Sequence, residues 1–396
     1  MKSIKPFSFF TPTRIEYGTG KAGQLVDEVK GLNSQKPMII TDKGVIKAGI
    51  LDDIEKQLKE NKIQYKIFSE VESNPRDTSV HKATDLAKEF KADLMIGIGG
   101  GSSMDTAKCV GMLVTNSGKI YDYFGVYKAK NQALPLITIP TTAGTGSEVS
   151  IWAVVTDTRK DKHVKEFLGS PLICPTVALV DPLLTIGLPP HLTAYTGIDA
   201  LSHAIEGYVS LVAEPIADTI ALSAIQLISD SLAPATLNGE NIVARDNMML
   251  GSLMAGITLG NTDCGAVHCL GHAIGGLYDV HHGLAMAIFM PYVMEYNLGA
   301  CPERFVDIAE AMGENVNGLT LWEAARKSIE AVINLSRLVN IPLLKDVGVK
   351  EADFNKIAKM ALADETSLAN PRKMTLEDML GILRDAYADK LKTAVR

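Results

Sequence analysis

Five histidines and one aspartate in the second half of the chain have the types and the spacing of metal ligands. The histidines are His203, His268, His272, His281 and His282. Asp199 and His203 lie four residues apart in TGIDALSHAIEG, and His268 and His272 have the same spacing in VHCLGHAIGG. Residues four apart project from one face of a helix, so each pair can point at one ion. His282 follows after a turn and can complete the set.

Imidazoles and a carboxylate on neighbouring helices suit a first-row divalent ion such as Fe(II), Zn(II), Mn(II) or Co(II). One carboxylate and three neutral imidazoles leave the site net positive, so it can polarise a carbonyl oxygen or lower the pKa of a bound alcohol. A single buried histidine more often satisfies a local hydrogen bond, but five clustered histidines are harder to explain in that way. Cys264 and Cys269 could also bind metal, although their spacing fits no closed zinc pattern and favours small buried residues.

A glycine-rich segment is the first candidate for binding a phosphate. Residues 97–103 read GIGGGSS and stand between a predicted strand and a helix predicted for residues 104–114. Glycines let the backbone approach a diphosphate closely, and the free N–H groups at the helix start favour its negative charge. The alternative is a tight turn without a ligand.

Asp42 and a second loop extend this candidate site. Asp42 ends an earlier strand, and no acidic residue lies at the Rossmann distance after the glycines, so we expect a different kind of dinucleotide site. A carboxylate there would bind a ribose hydroxyl and repel a 2′-phosphate, which favours NAD over NADP. The alternative for Asp42 is a turn residue or a helix cap. The second loop, residues 140–148 (PTTAGTGSE), also follows a strand, and its hydroxyls and small residues suit a flat polar ligand.

The elements that must position these residues change character along the chain. Predicted strands are PMIITDKG, YKIFSEV, ADLMIGIGGGSS, LPLITIPTT and TVALVDP, and they alternate with helices predicted for residues 49–61 and 80–90. This alternation indicates a parallel sheet covered on both faces. Beyond residues 181–190, amphipathic helices are predicted for residues 194–211, 215–232, 245–259, 304–312, 321–339, 351–362 and 376–391, the last one opened by a Thr375–Asp378 capping box.

We therefore predict two domains. Residues 1–186 would form an α/β dinucleotide-binding domain with a parallel sheet, and residues 187–396 an all-α domain that binds the metal and carries the catalytic residues. A cleft between two domains is the default place for a ligand.

Composition argues against several other classes of protein. The chain has 396 residues, of which 46% are hydrophobic, and a formal net charge of −7 without a basic run, so we expect no nucleic-acid partner. The N-terminus lacks the apolar stretch of a signal peptide, and the most apolar stretch, residues 284–294, is too short to span a bilayer, so we expect no membrane partner. Five scattered cysteines form no CxxC pair, which favours the reducing cytoplasm.

Together, these motifs resemble the iron-containing (group III) alcohol dehydrogenase family over essentially the whole chain. The shared segments are, in order, GGGSSMDTAK, PTTAGTGSE, ALVDP through GIDALSHAIEGY, AVHCLGHAIGGLYDVHHG and LANPRKMTLED. The signature from Asp199 to Glu206 is specific, whereas the triple glycine alone would not be. The resemblance implies a dehydroquinate synthase-like fold and reversible hydride transfer between a small primary alcohol or diol and NAD. It also implies a homodimer or a multiple of dimers, with TRIEYG as the contact strand.

The resemblance further implies roles for individual residues. Asp199, His203, His268 and His282 match the metal ligands, and Fe(II) is the implied ion, with Zn(II) or another divalent metal as alternatives. His272 matches a histidine near the nicotinamide and is the candidate for relaying the proton to solvent; its alternatives are orienting a ligand or packing the cofactor. The cofactor-contacting positions are Asp42, Asn74, Gly99, Gly100, Gly101, Ser102, Ser103, Thr141, Thr142, Ser147 and Lys165.

Several residues depart from the family's commoner pattern near its substrate pocket. Many members read AGMAFNNAGLG where residues 255–265 read AGITLGNTDCG, so Leu259 replaces an aromatic residue and Asp263 and Cys264 are unusual. Ile151 follows Ser150 where a Thr-Arg or similar pair is usual. The substrate therefore stays open among ethanol, longer primary alcohols, diols such as 1,3-propanediol, lactaldehyde and acid-bearing aldehydes. His281 is expected to be a pocket residue or to be exposed.

Three rival functions can be weighed against this one. A lyase like dehydroquinate synthase would need several basic residues around the metal, but only Arg245 lies between Asp199 and His282. A glycerol dehydrogenase-like zinc enzyme would lack one of the four ligands. A non-enzymatic relative would tolerate loss of the ligands or of the glycine loop, and here all are present.

Overall fold

Strands occupy the first half of the chain in this computed structural model, which describes residues 6–159 and 164–391. They are β1 (Arg14–Tyr17), β2 (Pro37–Ile40), β3 (Lys66–Phe68), β4 (Leu94–Gly99), β5 (Gly125–Val126), β6 (Leu136–Pro140), β7 (Trp152–Asp157), β8 (Val164–Gly169) and β9 (Val177–Val180). Six of them form a parallel sheet in the order β1-β9-β6-β4-β2-β3. Every residue of β2, β4, β6 and β9 is buried, which explains their continuous apolar sequences. The predicted parallel sheet is confirmed.

Helices lie on both faces of this sheet. They are α1 (Leu25–Gly31), α2 (Lys43–Lys47), α3 (Ile50–Glu60), α4 (Asp77–Phe90) and α5 (Gly101–Thr115). Side chains alternate along a strand, so β2 contributes residues to the hydrophobic cores on both faces of the sheet. Ile39 packs in one cluster with Leu58 of α3, whereas Met38 and Ile40 pack in another with Ala87 of α4.

A second sheet of three strands, in the order β5-β8-β7, was not predicted from the sequence. Its strands β7 and β8 are antiparallel. One face of this pair, with Ala153, Val155 and Leu168, packs into a core together with α5. The other face, which includes Trp152 and Phe167, is only half-buried.

Helices make up the second half of the described chain. They are α6 (Pro190–Val209), α7 (Pro215–Leu237), α8 (Ile242–Thr262), α9 (Ala266–Tyr278), α10 (His282–Asn297), α11 (Pro302–Ala311), α12 (Leu321–Leu338), α13 (Phe354–Leu362) and α14 (Leu376–Ala388). All seven predicted helical segments are present with shifted ends. The predicted capping box at α14 is also present: Thr375 Oγ1 accepts from the Asp378 N–H at 3.3 Å, and Asp378 Oδ2 accepts from the Thr375 N–H at 2.8 Å.

The helix that carries the first two predicted metal ligands is central. α6 packs against α7, α8 and α10, and it is buried from Thr196 to Val209. α7 is long and apolar enough to cross a membrane by length and composition alone, but Ala221, Ile225 and Ile228 pack in the helical core of the fold. The last strand ends at Val180 and α6 begins at Pro190, within the interval where the sequence changes character. The division at residues 186 and 187 stays a prediction.

Candidate metal and cofactor site

Three helices bring the four predicted metal ligands together. α6 carries Asp199 and His203, α9 carries His268, and α10 begins at His282. One ligand atom from each residue lies within 4.8 Å of the others. Asp199 Oδ1 is 3.9 Å from His203 Nε2, 4.0 Å from His268 Nε2 and 3.5 Å from His282 Nε2. Four donor atoms therefore converge on one point, as the spacing in the sequence predicts.

The donor atoms fit a divalent ion. Asp199 Oδ1 and His268 Nε2 are buried and have no hydrogen-bond partner among the described residues. Each such buried polar atom costs about 1–3 kcal/mol when it stays unpaired, so two of them side by side point to a bound ion that would pair both. Burial lowers the pKa of His203 to about 4 and the pKa of His282 well below its usual value, which keeps both rings neutral and able to donate a lone pair.

Two further groups fix the orientation of the imidazole rings. His268 Nδ1–H donates to Glu206 Oε2, and Glu206 Oε1 also accepts from the Val267 N–H at 2.8 Å. Burial opposes protonation of His268, but the charge of Glu206 outweighs it and the pKa of His268 is raised. His203 Nδ1–H donates to the Gly144 carbonyl at 3.3 Å. In each ring Nε2 is then left to face an ion at the centre of the cluster, if one binds there. Sequence reasoning gave Glu206 no role, although it stands seven residues after Asp199 on the same face of α6.

His272 lies beside the four ligands and is not one of them. Its Nδ1–H donates to Asp364 Oδ2 at 2.8 Å, and its ring stacks on that of His282 with 5.4 Å between the centroids. Burial would raise the pKa of Asp364, but the hydrogen bond and the charge of His272 lower it to about 2. Thr366 donates to the other oxygen of Asp364 at 2.8 Å. The His272 ring is therefore held by an ionised carboxylate, and no sequence pattern linked the two residues.

The two predicted ligand-binding loops face each other at the ends of β4 and β6. α5 begins after Gly100, and this N-cap residue supplies no side chain to the first N–H groups of the helix. A Cβ on Gly101 would lie 2.8 Å from Thr145, and a Cβ on Gly100 would lie 3.4 Å from Thr142 Oγ1. Thr142 Oγ1 is buried and has no hydrogen-bond partner within residues 6–159 and 164–391. The glycine turn at residues 99–101, with Thr142 and Thr145 opposite it, forms a cradle. Its free N–H groups and the unpaired Thr142 hydroxyl suit a diphosphate.

Asp42 is both a helix cap and a neighbour of this cradle. Its Oδ1 accepts from the N–H groups of Gly44 and Val45 at 2.7 and 3.0 Å and so caps α2. Its Oδ2 lies 3.4 Å from Ser103 Oγ. The helix cap that the sequence offered as an alternative is therefore real, and one carboxylate oxygen still faces the glycine loop.

The other predicted hydroxyls near the cofactor point away from the cradle or are buried. Ser102 Oγ donates to the Ser73 carbonyl at 2.6 Å. Ser147 Oγ donates to Asp105 Oδ1 at 2.6 Å, inside the protein. Thr141 is buried at the end of β6. These positions hold the loops in shape, and their contact with a cofactor stays a prediction.

The last two predicted cofactor positions meet at the C-terminal end of α9. Asn74 Nδ2 donates to Asp279 Oδ1 at 2.6 Å. Lys165 of β8 lies against Gly275: a Cβ added to Gly275 would be 3.2 Å from the Nζ of Lys165. Burial lowers the pKa of Lys165 to about 8. The half-buried face of the β7–β8 pair therefore adjoins the helix that carries His268.

A buried lysine that the sequence reasoning missed holds the strand next to this face. The Lys108 side chain is fully buried, and its Nζ donates to the carbonyls of Ser150 and Trp152 at 3.0 and 2.7 Å. Asp105 is 3.9 Å away and accepts from the Val154 N–H at 2.9 Å. Both residues belong to GGGSSMDTAK, three positions apart, which is one face of α5. The motif thus ties the cradle to the segment that carries Ile151.

The four predicted substrate-pocket residues differ in burial, and one of them, Cys264, lies beside a predicted metal ligand. Cys264 is buried, and its Sγ forms a second close group with Glu206 and His268, within 4.8 Å. Burial raises the pKa of Cys264 well above its usual value, which favours a small buried thiol over a ligand. Leu259 is also buried, whereas Asp263 and Ile151 are half-buried. A role of these four residues in substrate binding stays a prediction.

Neither His281 nor Arg245 is exposed. His281 is not exposed: it is half-buried, its Nδ1 has no hydrogen-bond partner among the described residues, and burial lowers its pKa to about 4. Arg245 is buried, and it donates to Thr193 Oγ1 and to the carbonyls of Leu188 and Gly239. Arg245 is therefore occupied within the helical core and is unable to bind a phosphorylated acid at the metal.

The α/β part and the helical part touch at backbone level beside the site. Gly146, in the loop after β6, has φ +63°, and a Cβ there would lie 2.3 Å from Gly256 Cα in α8. Any side chain at Gly146 would collide with the helix backbone. The contact holds the loop that carries Thr142 and Gly144 against the metal-binding part.

Two family descriptions match the chain and cover most of it. Residues 12–182 match the iron-containing alcohol dehydrogenase family, and residues 193–387 match the C-terminal part of the Fe-containing alcohol dehydrogenase family. The 1,3-propanediol dehydrogenase of Klebsiella pneumoniae is 41% identical over 388 residues, covering 97% of this chain and 100% of that protein. The NAD-dependent methanol dehydrogenase of Bacillus methanolicus is 40% identical over 380 residues, with 96% and 99% coverage.

A solved structure is similar over the same length. The crystal structure of a 1,3-propanediol oxidoreductase superposes with a TM-score of 0.94 at 41% sequence identity, covering 96% of this chain and 100% of that chain. The predicted architecture, a parallel-sheet domain followed by a helical one, is confirmed.

Proposed function

The chain belongs to the iron-containing alcohol dehydrogenase family, and from this premise we propose that Asp199, His203, His268 and His282 hold Fe(II) next to a bound NAD. The protein is an NAD-dependent oxidoreductase that interconverts alcohols and aldehydes reversibly. The observation that carries the site assignment is the convergence of four donor atoms within 4.8 Å, two of them buried and unpaired.

The two bound groups would supply Lewis acidity and a hydride acceptor or donor, respectively. The residues of this chain position them. The Glu206 carboxylate and the Gly144 carbonyl orient the His268 and His203 rings. The free N–H groups after Gly100 would bind the diphosphate, and Thr142 Oγ1 would gain the partner it lacks.

Within this proposal His272 moves the proton. Asp364 holds its Nδ1–H, so in the neutral ring the lone pair lies on Nε2, which has no partner among the described residues. When an alcohol is oxidised, its hydroxyl proton would pass toward His272 Nε2 and on to solvent; in reduction the proton would return. The stacked His282 ring keeps His272 at the edge of the ligand cluster.

The choice of NAD over NADP rests on Asp42. Its Oδ2 faces the Gly99–Ser103 turn, where a ribose hydroxyl would donate to it and a 2′-phosphate would be repelled. Fe(II) rests on the family, because the donor set of one carboxylate and three imidazoles also suits Zn(II). Oxygen-dependent inactivation together with iron in elemental analysis would support Fe(II). Full activity after prolonged aerobic handling, with zinc found, would contradict it.

For the substrate we propose a small primary alcohol or diol. A glycerol dehydrogenase-like zinc enzyme is less well supported, because all four ligands converge. A reductase of an acid-bearing aldehyde is the second alternative. We also propose a cytoplasmic homodimer or multiple of dimers: the five cysteines are free thiols, and among the described strands the edge strand β1 pairs with β9 alone.

The test is a substrate panel on anaerobically purified protein of known metal content. Primary alcohols, diols and their aldehydes are assayed with NAD and NADP in both directions. The His203→Ala variant should lose bound metal and activity together, whereas His191→Ala, at an exposed histidine outside the cluster, should keep both. Unchanged metal content in His203→Ala would refute the ligand assignment.

A further inference from the structure

One residue between α8 and α9 has a backbone conformation that its type disfavours. Asp263 has φ +65° and ψ 167°. This region is essentially restricted to glycine, because a Cβ collides there with the neighbouring peptide groups. An aspartate in such a conformation stores strain, and residues with strained backbones cluster at active sites, ligand clamps and switch regions.

The strained backbone leaves one carboxylate oxygen of Asp263 available. Oδ1 accepts from the Cys264 N–H at 2.7 Å, which fixes the side chain. Oδ2 has no hydrogen-bond partner, and no lysine or arginine forms an ion pair with Asp263 in the described part of the chain. The residue is half-buried, so this oxygen is only partly hydrated.

Asp263 lies close to one predicted metal ligand, His268. The next residue, Cys264, places its Sγ within 4.8 Å of a ring nitrogen of His268 and a carboxylate oxygen of Glu206. Asp263 is also within electrostatic range of His268, Asp364 and Glu206, and burial raises its pKa to about 6. At neutral pH the group is therefore a carboxylate in an acidic neighbourhood, and a hydrogen-bond donor or a positive charge would stabilise it.

We propose that Asp263 selects substrates that carry a hydrogen-bond donor at the end remote from the reacting carbon, namely diols or amino alcohols. The inference rests on the proposed function, since it assumes that the alcohol reacts at the metal beside His268. A hydroxyl or an ammonium group would donate to Oδ2. A carboxylate at the same place would be repelled, so acid-bearing substrates are disfavoured.

Four three-carbon compounds distinguish these cases: 1-propanol, 1,3-propanediol, 3-amino-1-propanol and 3-hydroxypropanoate. We expect Asp263→Gly to lower kcat/KM for the diol and the amino alcohol roughly 10- to 100-fold, while 1-propanol changes by about twofold or less. The variant should accept 3-hydroxypropanoate better than the wild type does. In Asp263→Asn the amino alcohol should lose more than the diol, because the amide oxygen still accepts a hydrogen bond but carries no charge.

A matched control separates selection from relief of strain. Asp389 also has a positive φ, +52°, at the end of α14, where its carboxylate accepts from Tyr292. Asp389→Gly should leave the ratio of diol to propanol activity unchanged. If Asp263→Gly lowers all four activities in parallel, or none of them, Asp263 does not select the substrate.

A binding measurement keeps this inference separate from the reaction itself. Saturating 1,3-propanediol should raise the thermal midpoint of the metal-loaded wild type more than 1-propanol does, and Asp263→Gly should abolish that difference. If the wild type oxidises no alcohol but shows the difference, the proposed function fails and the role of Asp263 in binding stands. If alcohols are oxidised but the wild type shows no difference, only the inference about Asp263 fails.

Discussion

Replacing Glu206 by glutamine should weaken the metal site without touching any ligand. Glu206 accepts two hydrogen bonds, from His268 Nδ1–H and from the Val267 N–H. Glutamine has one acceptor oxygen and one amide NH₂ group. If the oxygen keeps Val267, the amide faces the His268 N–H, and two donors meet in a buried place. The ring can then move its proton to Nε2, which removes the lone pair that faces the ion.

The size of the effect follows from these contacts. Losing a partner that orients a ligating histidine typically lowers metal affinity about 10- to 100-fold, which is about 1.4–2.7 kcal/mol. A hydrogen bond to a buried charged group contributes about 1.5–3 kcal/mol, a similar amount. We therefore expect the dissociation constant of the metal to rise about 10- to 100-fold in Glu206→Gln.

Competition with a chelator measures this dissociation constant directly for Fe(II) or Zn(II). Glu214→Gln is the matched control, because Glu214 is equally buried but caps α7. The control should bind metal like the wild type, and both variants should keep their circular dichroism spectra. A Glu206→Gln protein with wild-type affinity would show that the hydrogen bond to His268 does not tune the site.

Three further predictions concern stability. Gly146→Ala should lower the free energy of unfolding by about 3 kcal/mol, because its Cβ would lie 2.3 Å from Gly256 Cα, whereas alanine at Gly187, which has open space, should cost far less; thermal denaturation compares them. Lys108→Met should cost about 3–5 kcal/mol in urea unfolding, because buried carbonyls and the half-buried Asp105 carboxylate lose their cation; an unchanged free energy of unfolding would contradict this. Burial raises the folded pKa of Asp263 from 3.8 to about 6, so the folded state binds the proton more tightly and loses about 1–2 kcal/mol as pH rises from about 4 to about 6. Asp263→Asn should flatten that part of a plot of the thermal midpoint against pH, and an unchanged slope would refute the assignment.

The parts of the fold that the sequence predicts well are those that depend on a single local pattern of residue types. Continuous apolar runs such as that of β4 have to be buried on both faces, and the i, i+4 pairs on α6 and α9 place ligands on one side of a helix. The β7–β8 pair was missed because β8 reads VKEFLG. The adjacent charged residues Lys165 and Glu166 interrupt the apolar pattern expected of a strand, although the strand is half-buried. Its burial comes from packing on α5, which is a long-range contact that no local pattern reports.

The candidate site shows the same limit. Glu206 could have been found, since it continues the spacing of Asp199 and His203 along α6. Asp364 could not, because it reaches His272 from 92 residues away, out of a loop before a short turn of helix. Asp263 was noticed only as an unusual residue, and its backbone conformation became evident from the structure alone.

The contact between Gly146 and Gly256 limits how the protein can move. No side chain separates the two backbones there, so the α/β part and the helical part cannot slide past each other at this point without a collision between backbone atoms. A relative movement of the two parts would then be a rotation about this point, with the largest displacements far from it and the smallest beside the predicted metal ligands. A cofactor could therefore enter and leave while the four ligand atoms keep their spacing.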